Sequence, residues 1–147
     1  GEGTTVSLSL GAKTGGAPGE RPLEGAFEVM RVTNGEFLAS GPFYGGARMS
    51  LGTTVRLRRG GVQVVVASRK GQCADKEMIR HTGLDPQGLA ILAVKSSVHF
   101  RADFGPMSSE VLVVESPGPN TADLAKLSFT RLRKGLRVTP MGEGFGE

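Results

Sequence analysis

Two glycine dipeptides, each set between short alternating runs, constrain this chain more than any other feature. Phe27 to Thr33 and Glu36 to Ser40 flank Asn34-Gly35; Thr53 to Arg59 and Val62 to Ala67 flank Gly60-Gly61. A two-residue hairpin turn needs positive φ at its centre, which Asn and Gly tolerate. Each dipeptide therefore predicts a hairpin joining the runs beside it. Thr4 to Leu10 adds a strand, because Val6, Leu8 and Leu10 alternate with Thr5, Ser7 and Ser9. Gly11 to Pro22 is rich in Gly and Pro and reads as a loop.

The second half reads differently. Val62 to Ala67 is apolar enough to be a central strand buried on both faces. Asp75 can cap a helix running to about Thr82, with His81 in its last turn, Gly83 at C′ and Pro86 beyond. Leu89 to Val94 reads as a second buried strand. Ser97 can cap a short helix over Val98 to Phe104, stopped by Gly105-Pro106. Glu110 to Val114 gives a third strand. Asn120, with Asp123 three residues on, resembles a capping box for a helix through about Phe129. The expected fold class is α/β: a small, mainly parallel sheet from this β-α-β-α-β-α half, extended by the antiparallel glycine-rich strands and hairpins of the first half. Residues 1–141 are expected to form one domain, with 142–147 a frayed tail.

With 147 residues the chain can close a core without staples. Its single cysteine, Cys73, excludes an internal disulfide and fits a reducing, cytoplasmic compartment. No apolar run approaches the ~20 residues that span a bilayer, so no membrane partner is expected. Gly1 to Thr5 lacks the start of a signal peptide. The absence of an initiator methionine suggests a fragment of something longer, or a trimmed chain. The net charge of +4 mostly aids solubility. With no Trp, one Tyr and basic residues in short alternating stretches, no nucleic-acid partner is expected.

Candidate chemistry is sparse. His81 and His99 fall on different predicted helices, and Asp75 and His81, six apart, face different sides of one helix. No metal site is expected within the chain. Cys73 precedes a predicted helix N-terminus, which would lower its thiol pKa, but no histidine is placed to act as its base. Gly11 to Gly16 lacks the Gly-Lys-Ser/Thr ending of a phosphate loop. The stronger signal lies where predicted strands end in basic loops leading into helices: Ser68 to Gln72, and Lys95-Ser96-Ser97 followed by His99 and Arg101. In an open parallel sheet such loops line the ligand crevice, and Lys95, Ser96, Ser97, His99 and Arg101 would accept a carboxylate or phosphate. The competing reading makes Lys95 and Arg101 structural, with Asp103 pairing His99 at i,i+4.

The same segments carry a resemblance. Leu57 to Ser68, Gln72, Asp75, Gly83-Leu-Asp-Pro86, Val94-Lys-Ser-Ser-Val-His-Phe-Arg-Ala-Asp-Phe104 and Ser116-Pro-Gly-Pro-Asn-Thr121 together resemble the C-terminal domain of the microcystinase C (MlrC) family of zinc metallopeptidases. Val6 to Gly11 and Leu51 to Thr54 also fit, and the tail from Leu136 departs. The resemblance implies peptide hydrolysis by a longer protein, with zinc bound in an N-terminal metallopeptidase domain absent from this chain. It makes this piece a substrate-facing domain without catalysis of its own and with no cofactor of its own. Two alternatives are a stand-alone binding module for small anions or carboxylates and, more weakly, a thiol enzyme acting through Cys73.

Overall fold

The structure, a computed structural model, describes residues 1–12, 21–115 and 123–146. Among these residues are six strands: β1 (Thr5–Leu10), β2 (Leu23–Thr33), β3 (Glu36–Leu38), β4 (Arg48–Ser50), β5 (Thr54–Arg59) and β6 (Val62–Ala67). Two one-turn helices follow, α1 (Glu77–Arg80) and α2 (Phe100–Phe104), with single 3₁₀ turns at Pro86–Gly88, Gly105–Met107 and Leu124–Lys126. The chain divides into two compact units. The larger is Gly1–Ser9 with Glu24–Leu112, and the smaller is Leu10–Leu23 with Val113–Glu147.

The larger unit is built on antiparallel pairing. Its main sheet has the order β1-β2-β5-β6, and β3 pairs with β4 in a separate two-stranded sheet. The Gly60-Gly61 hairpin is as expected. β5 and β6 pair from Arg59↔Val62 back to Thr54↔Ala67. Gly60 has φ +57° and Gly61 does not enter the positive region, the sign pattern of a type II′ turn.

Asn34-Gly35 does something else. β2 pairs with β5 as far as Thr33↔Thr54, and β3 pairs with β4 from Glu36↔Ser50 to Leu38↔Arg48. The two pairings continue one antiparallel ribbon, and Asn34-Gly35 is the corner at which it bends. The ribbon closes beyond β3, where Ala39 N–H donates to Ala47 O and Gly46 N–H donates to Ala39 O, both at 2.9 Å. At the corner Gly35 has φ +74°. Its carbonyl accepts from Leu51 N–H at 2.9 Å, and a Cβ there would collide with the Gly52 carbonyl oxygen. A local turn signal thus marks a close backbone approach, because the residues after it find their partners at long range.

The expected mainly parallel α/β sheet does not form. Val62–Ala67 is an edge strand rather than a central one, with Val62 63% exposed. Leu89 to Val94 and Glu110 to Val114 join no sheet, and Ile91 and Leu112 are largely exposed. The reason is the length of the helices. A parallel connection needs an element that carries the chain back along the strand it leaves, and Gly83 and Gly105-Pro106 stop α1 and α2 after about one turn each. A turn advances ~5.4 Å, against a strand length of ~17–20 Å. Short hairpin connections therefore win.

The core lies inside the larger unit. Phe27 and Val29 of β2 pack with Leu57 of β5, joined by Ala39, Leu51, Ala74, Met78, Ile79 and Phe104. In the smaller unit Asp123 Oδ1 accepts from Ala125 N–H at 3.1 Å, but the helix expected through Phe129 is a single 3₁₀ turn. Phe145 N–H donates to Leu136 O and Gly135 N–H to Phe145 O, both at 3.0 Å. Most of the expected Gly11 to Pro22 loop, the Ser116 to Thr121 stretch and the Asn120 cap lie outside the described residues.

Gly35→Ala is expected to destabilise the fold by at least about 2 kcal/mol, since strain at positive φ adds to a backbone collision. Gly60→Ala meets open space and should cost about 1–2 kcal/mol. Urea unfolding of both variants tests the corner; equal losses would show that the close approach at Gly35 is immaterial.

Candidate functional site

The carboxylates of Asp75 and Asp103 fix the frame of the site. Asp75 is fully buried. One of its oxygens accepts from Gly41 N–H at 2.7 Å and the other from Glu77 N–H at 2.9 Å. It thereby caps α1, as expected, and also holds the closing loop of the ribbon. Asp103, on α2, accepts from Lys76 N–H at 2.6 Å and pairs with Lys76 Nζ at 3.1 Å. Gly41 lies against both, because a Cβ there would stand 2.6 Å from Asp103 Oδ2 and 3.0 Å from Asp75 Oδ2. Asp103 therefore does not serve as the partner of His99; it ties α2 to the start of α1.

His99 has other neighbours. Its ring stacks on Phe43 with centroids 4.0 Å apart, and its Nδ1 lies 3.1 Å from Gln72 Oε1. A carbonyl oxygen only accepts, so Nδ1 is the donor in this arrangement. Gln72 Nε2 in turn donates to Ser96 Oγ at 3.2 Å, and Tyr44 O–H donates to Gln72 O at 3.3 Å. Phe43 and Tyr44 pack edge to face at 4.7 Å. The ribbon loop, the segment after β6 and the approach to α2 thus meet around Gln72.

The structure brings Ser96 and His99 together through Gln72, and it leaves Lys95, Ser97 and Arg101 on the exposed surface beside them. Among the described residues neither Lys95 nor Arg101 makes an ion pair; the Arg101 guanidinium lies 5.3 Å from the Phe100 ring centroid. The parallel-sheet crevice does not exist, and α2 has only five residues, so helix-end charge has no part here. What remains is an edge of two cations, hydroxyls and an imidazole. Ser68 to Gln72, the other expected basic loop, runs on from β6, with Arg69 N–H donating to Leu51 O at 2.9 Å.

Gln72 stands at the end of the expected Ser68 to Gln72 loop, whereas Phe43 and Tyr44 were not expected at the site. An aromatic pair inside Gly41-Pro-Phe-Tyr-Gly-Gly46 was the available signal, since glycine loops seldom spend aromatics without a packing partner. A shallow depression of about 390 Å³ between β1 and β2, lined by Ser7, Leu8, Ser9, Glu24, Gly25 and Ala26, holds none of the expected site residues.

The thiol is held protonated. Burial, reinforced by the nearby Asp75 charge, pushes Cys73 from 9.0 up to about 11, the reverse of the lowering expected from a helix start. His81 is elsewhere, with Nδ1 2.8 Å from Glu77 O and its ring 4.9 Å from Phe37. Among the described residues no group of three or more His, Cys, Asp or Glu side chains is placed to hold a metal ion.

Comparison with known proteins agrees with the architecture. The family model described as MlrC C-terminus matches residues 1–131. Microcystinase C from Sphingomonas sp. is 32% identical over 116 residues, which make up 79% of this chain and 22% of that protein. The fold covers 90% of this chain and 26% of a crystallised "putative metallopeptidase" from Mesorhizobium sp. BNC1, at TM-score 0.79 and 21% identity. The chain therefore spans about a quarter or less of the length of these relatives.

Two outcomes follow from the frame. Asp75→Ala strands the Gly41 and Glu77 amides and should cost about 3 kcal/mol or more in urea unfolding; a loss below about 1 kcal/mol would show that the clamp is not needed. The raised Cys73 pKa favours the fold while the thiol is protonated, so its contribution is complete below pH 9 and fades as pH rises toward about 11. Denaturation midpoints across that range should fall more steeply in the native chain than in Cys73→Ala, by up to about 3 kcal/mol. Parallel curves would refute the assignment.

Proposed function

The chain belongs to the MlrC C-terminal family, and from that premise we propose that it is the substrate-facing C-terminal domain of a zinc-dependent peptidase similar to microcystinase C. Residues 1–141 act as this domain, and the zinc is held by an N-terminal metallopeptidase domain outside this sequence. The observation that carries the reading is the exposed edge at Lys95, Ser97, His99 and Arg101, where two cations stand without counter-ions among the described residues. A peptide substrate presents a carboxylate, and a guanidinium can grip it through two parallel hydrogen bonds where an ammonium cannot. Gln72 fixes the ring of His99, and Phe43 supports its face.

This division of labour is supported by the chemistry of the chain's own residues. Cys73 is held as a thiol, and Ser96 Oγ is engaged by Gln72 rather than by a base. Neither is set up as a nucleophile. A cytoplasmic setting belongs to the same reading and draws on the single cysteine. Among the described residues no helix is long and apolar enough to cross a membrane.

The test uses the natural polypeptide that contains this sequence, alongside the 147-residue chain. Zinc by elemental analysis and chelator-sensitive peptide hydrolysis are expected in the first and not in the second. Arg101→Lys in the natural polypeptide should raise KM roughly tenfold to a hundredfold, the size of one charged hydrogen bond, with Tm nearly unchanged. One zinc per 147-residue chain with peptidase activity would overturn the division of labour. Unchanged kinetics together with a lowered Tm would make Arg101 structural.

A further inference from the structure

The segment from Ala90 to Lys95 opens on a bend at Ala90 and then alternates in burial as a strand does, without the pairing of one. Leu92, Val94 and Ser96 are half-buried while Ile91, Ala93 and Lys95 are exposed, the two-residue period of a strand lying on a surface. Yet among the described residues no backbone N–H or carbonyl from Ala90 to Lys95 is paired. Ile91, the segment's large outward apolar side chain, is 88% exposed. A run of open backbone groups with an apolar side chain beside it is a template for strand addition.

Building on the proposed function, we infer that Ala90 to Lys95 receives an extended segment of the N-terminal part of the same polypeptide, with Ile91 buried against it. The choice of occupant rests on length, since about three quarters of each relative lies outside the portion this chain matches. An apolar run that reads as a buried strand, yet stays exposed when these residues are taken alone, fits a surface covered by that remainder. Lys95 then lies at the join, and the edge from Ser97 to Arg101 continues directly from it. Strand addition thus places the anion-accepting edge beside the N-terminal part, where a shared substrate would lie.

Amide hydrogen exchange on the 147-residue chain and on the natural polypeptide tests this. The Ala90 to Lys95 amides should exchange freely in the first and at least about 100-fold more slowly in the second. Ile91→Asp should leave the Tm of the 147-residue chain unchanged and abolish the added protection in the natural polypeptide. Free exchange in the natural polypeptide overturns the inference, as does a natural reading frame holding only these residues. Protection that rises with concentration in the 147-residue chain, with a dimer mass, assigns the segment to a second copy and also overturns it. Zinc and turnover are measured on the same samples. Protection without either leaves this docking standing and removes the peptidase reading, and turnover without protection does the reverse.

Discussion

A carboxylate with no exposed surface is costly to bury unless each oxygen finds a donor. Asp75 meets that condition with two backbone amides from distant parts of the chain, Gly41 in the ribbon loop and Glu77 in α1. Asp103 repeats the device on the other side of Gly41, using the amide and ammonium of Lys76. Helices of one turn are unstable by themselves, so α1 and α2 depend on these bonds and on the burial of Met78, Ile79 and Phe104 for their existence. Because both carboxylates crowd Gly41, the ribbon loop cannot shift without disturbing both helices. The positions of Phe43, Gln72 and His99 follow from that clamp.

The surface around the clamp divides by role. The buried acids Asp75 and Asp103 are engaged by backbone amides and the Lys76 ammonium, whereas the cations Lys95 and Arg101 are exposed. This division is consistent with a family in which the matched portion is a minor share of a longer chain. The open backbone at Ala90 to Lys95 lies next to that exposed edge in the chain.

The local features were legible from the residues alone. The Gly60-Gly61 hairpin, the cap at Asp75 and the stop at Gly83 arise from residues a few positions apart, where φ preferences and side-chain bonds act without help from the rest of the chain. The family was legible too, through Lys95-Ser-Ser-Val-His-Phe-Arg101 and its neighbours. Which strands pair depends on contacts between distant segments. Asn34-Gly35 carries a hairpin signal, but its flanking runs bind more distant partners, so it became a corner. The apolar runs at 89–94 and 110–114 have strand composition, yet composition records only that a segment tolerates burial and says nothing of what will bury it. For the same reason the contact of His99 with Gln72 and Phe43 could not be read in advance. It joins residues 27 and 56 positions apart, and such distances are set by the buried carboxylates that draw three segments together.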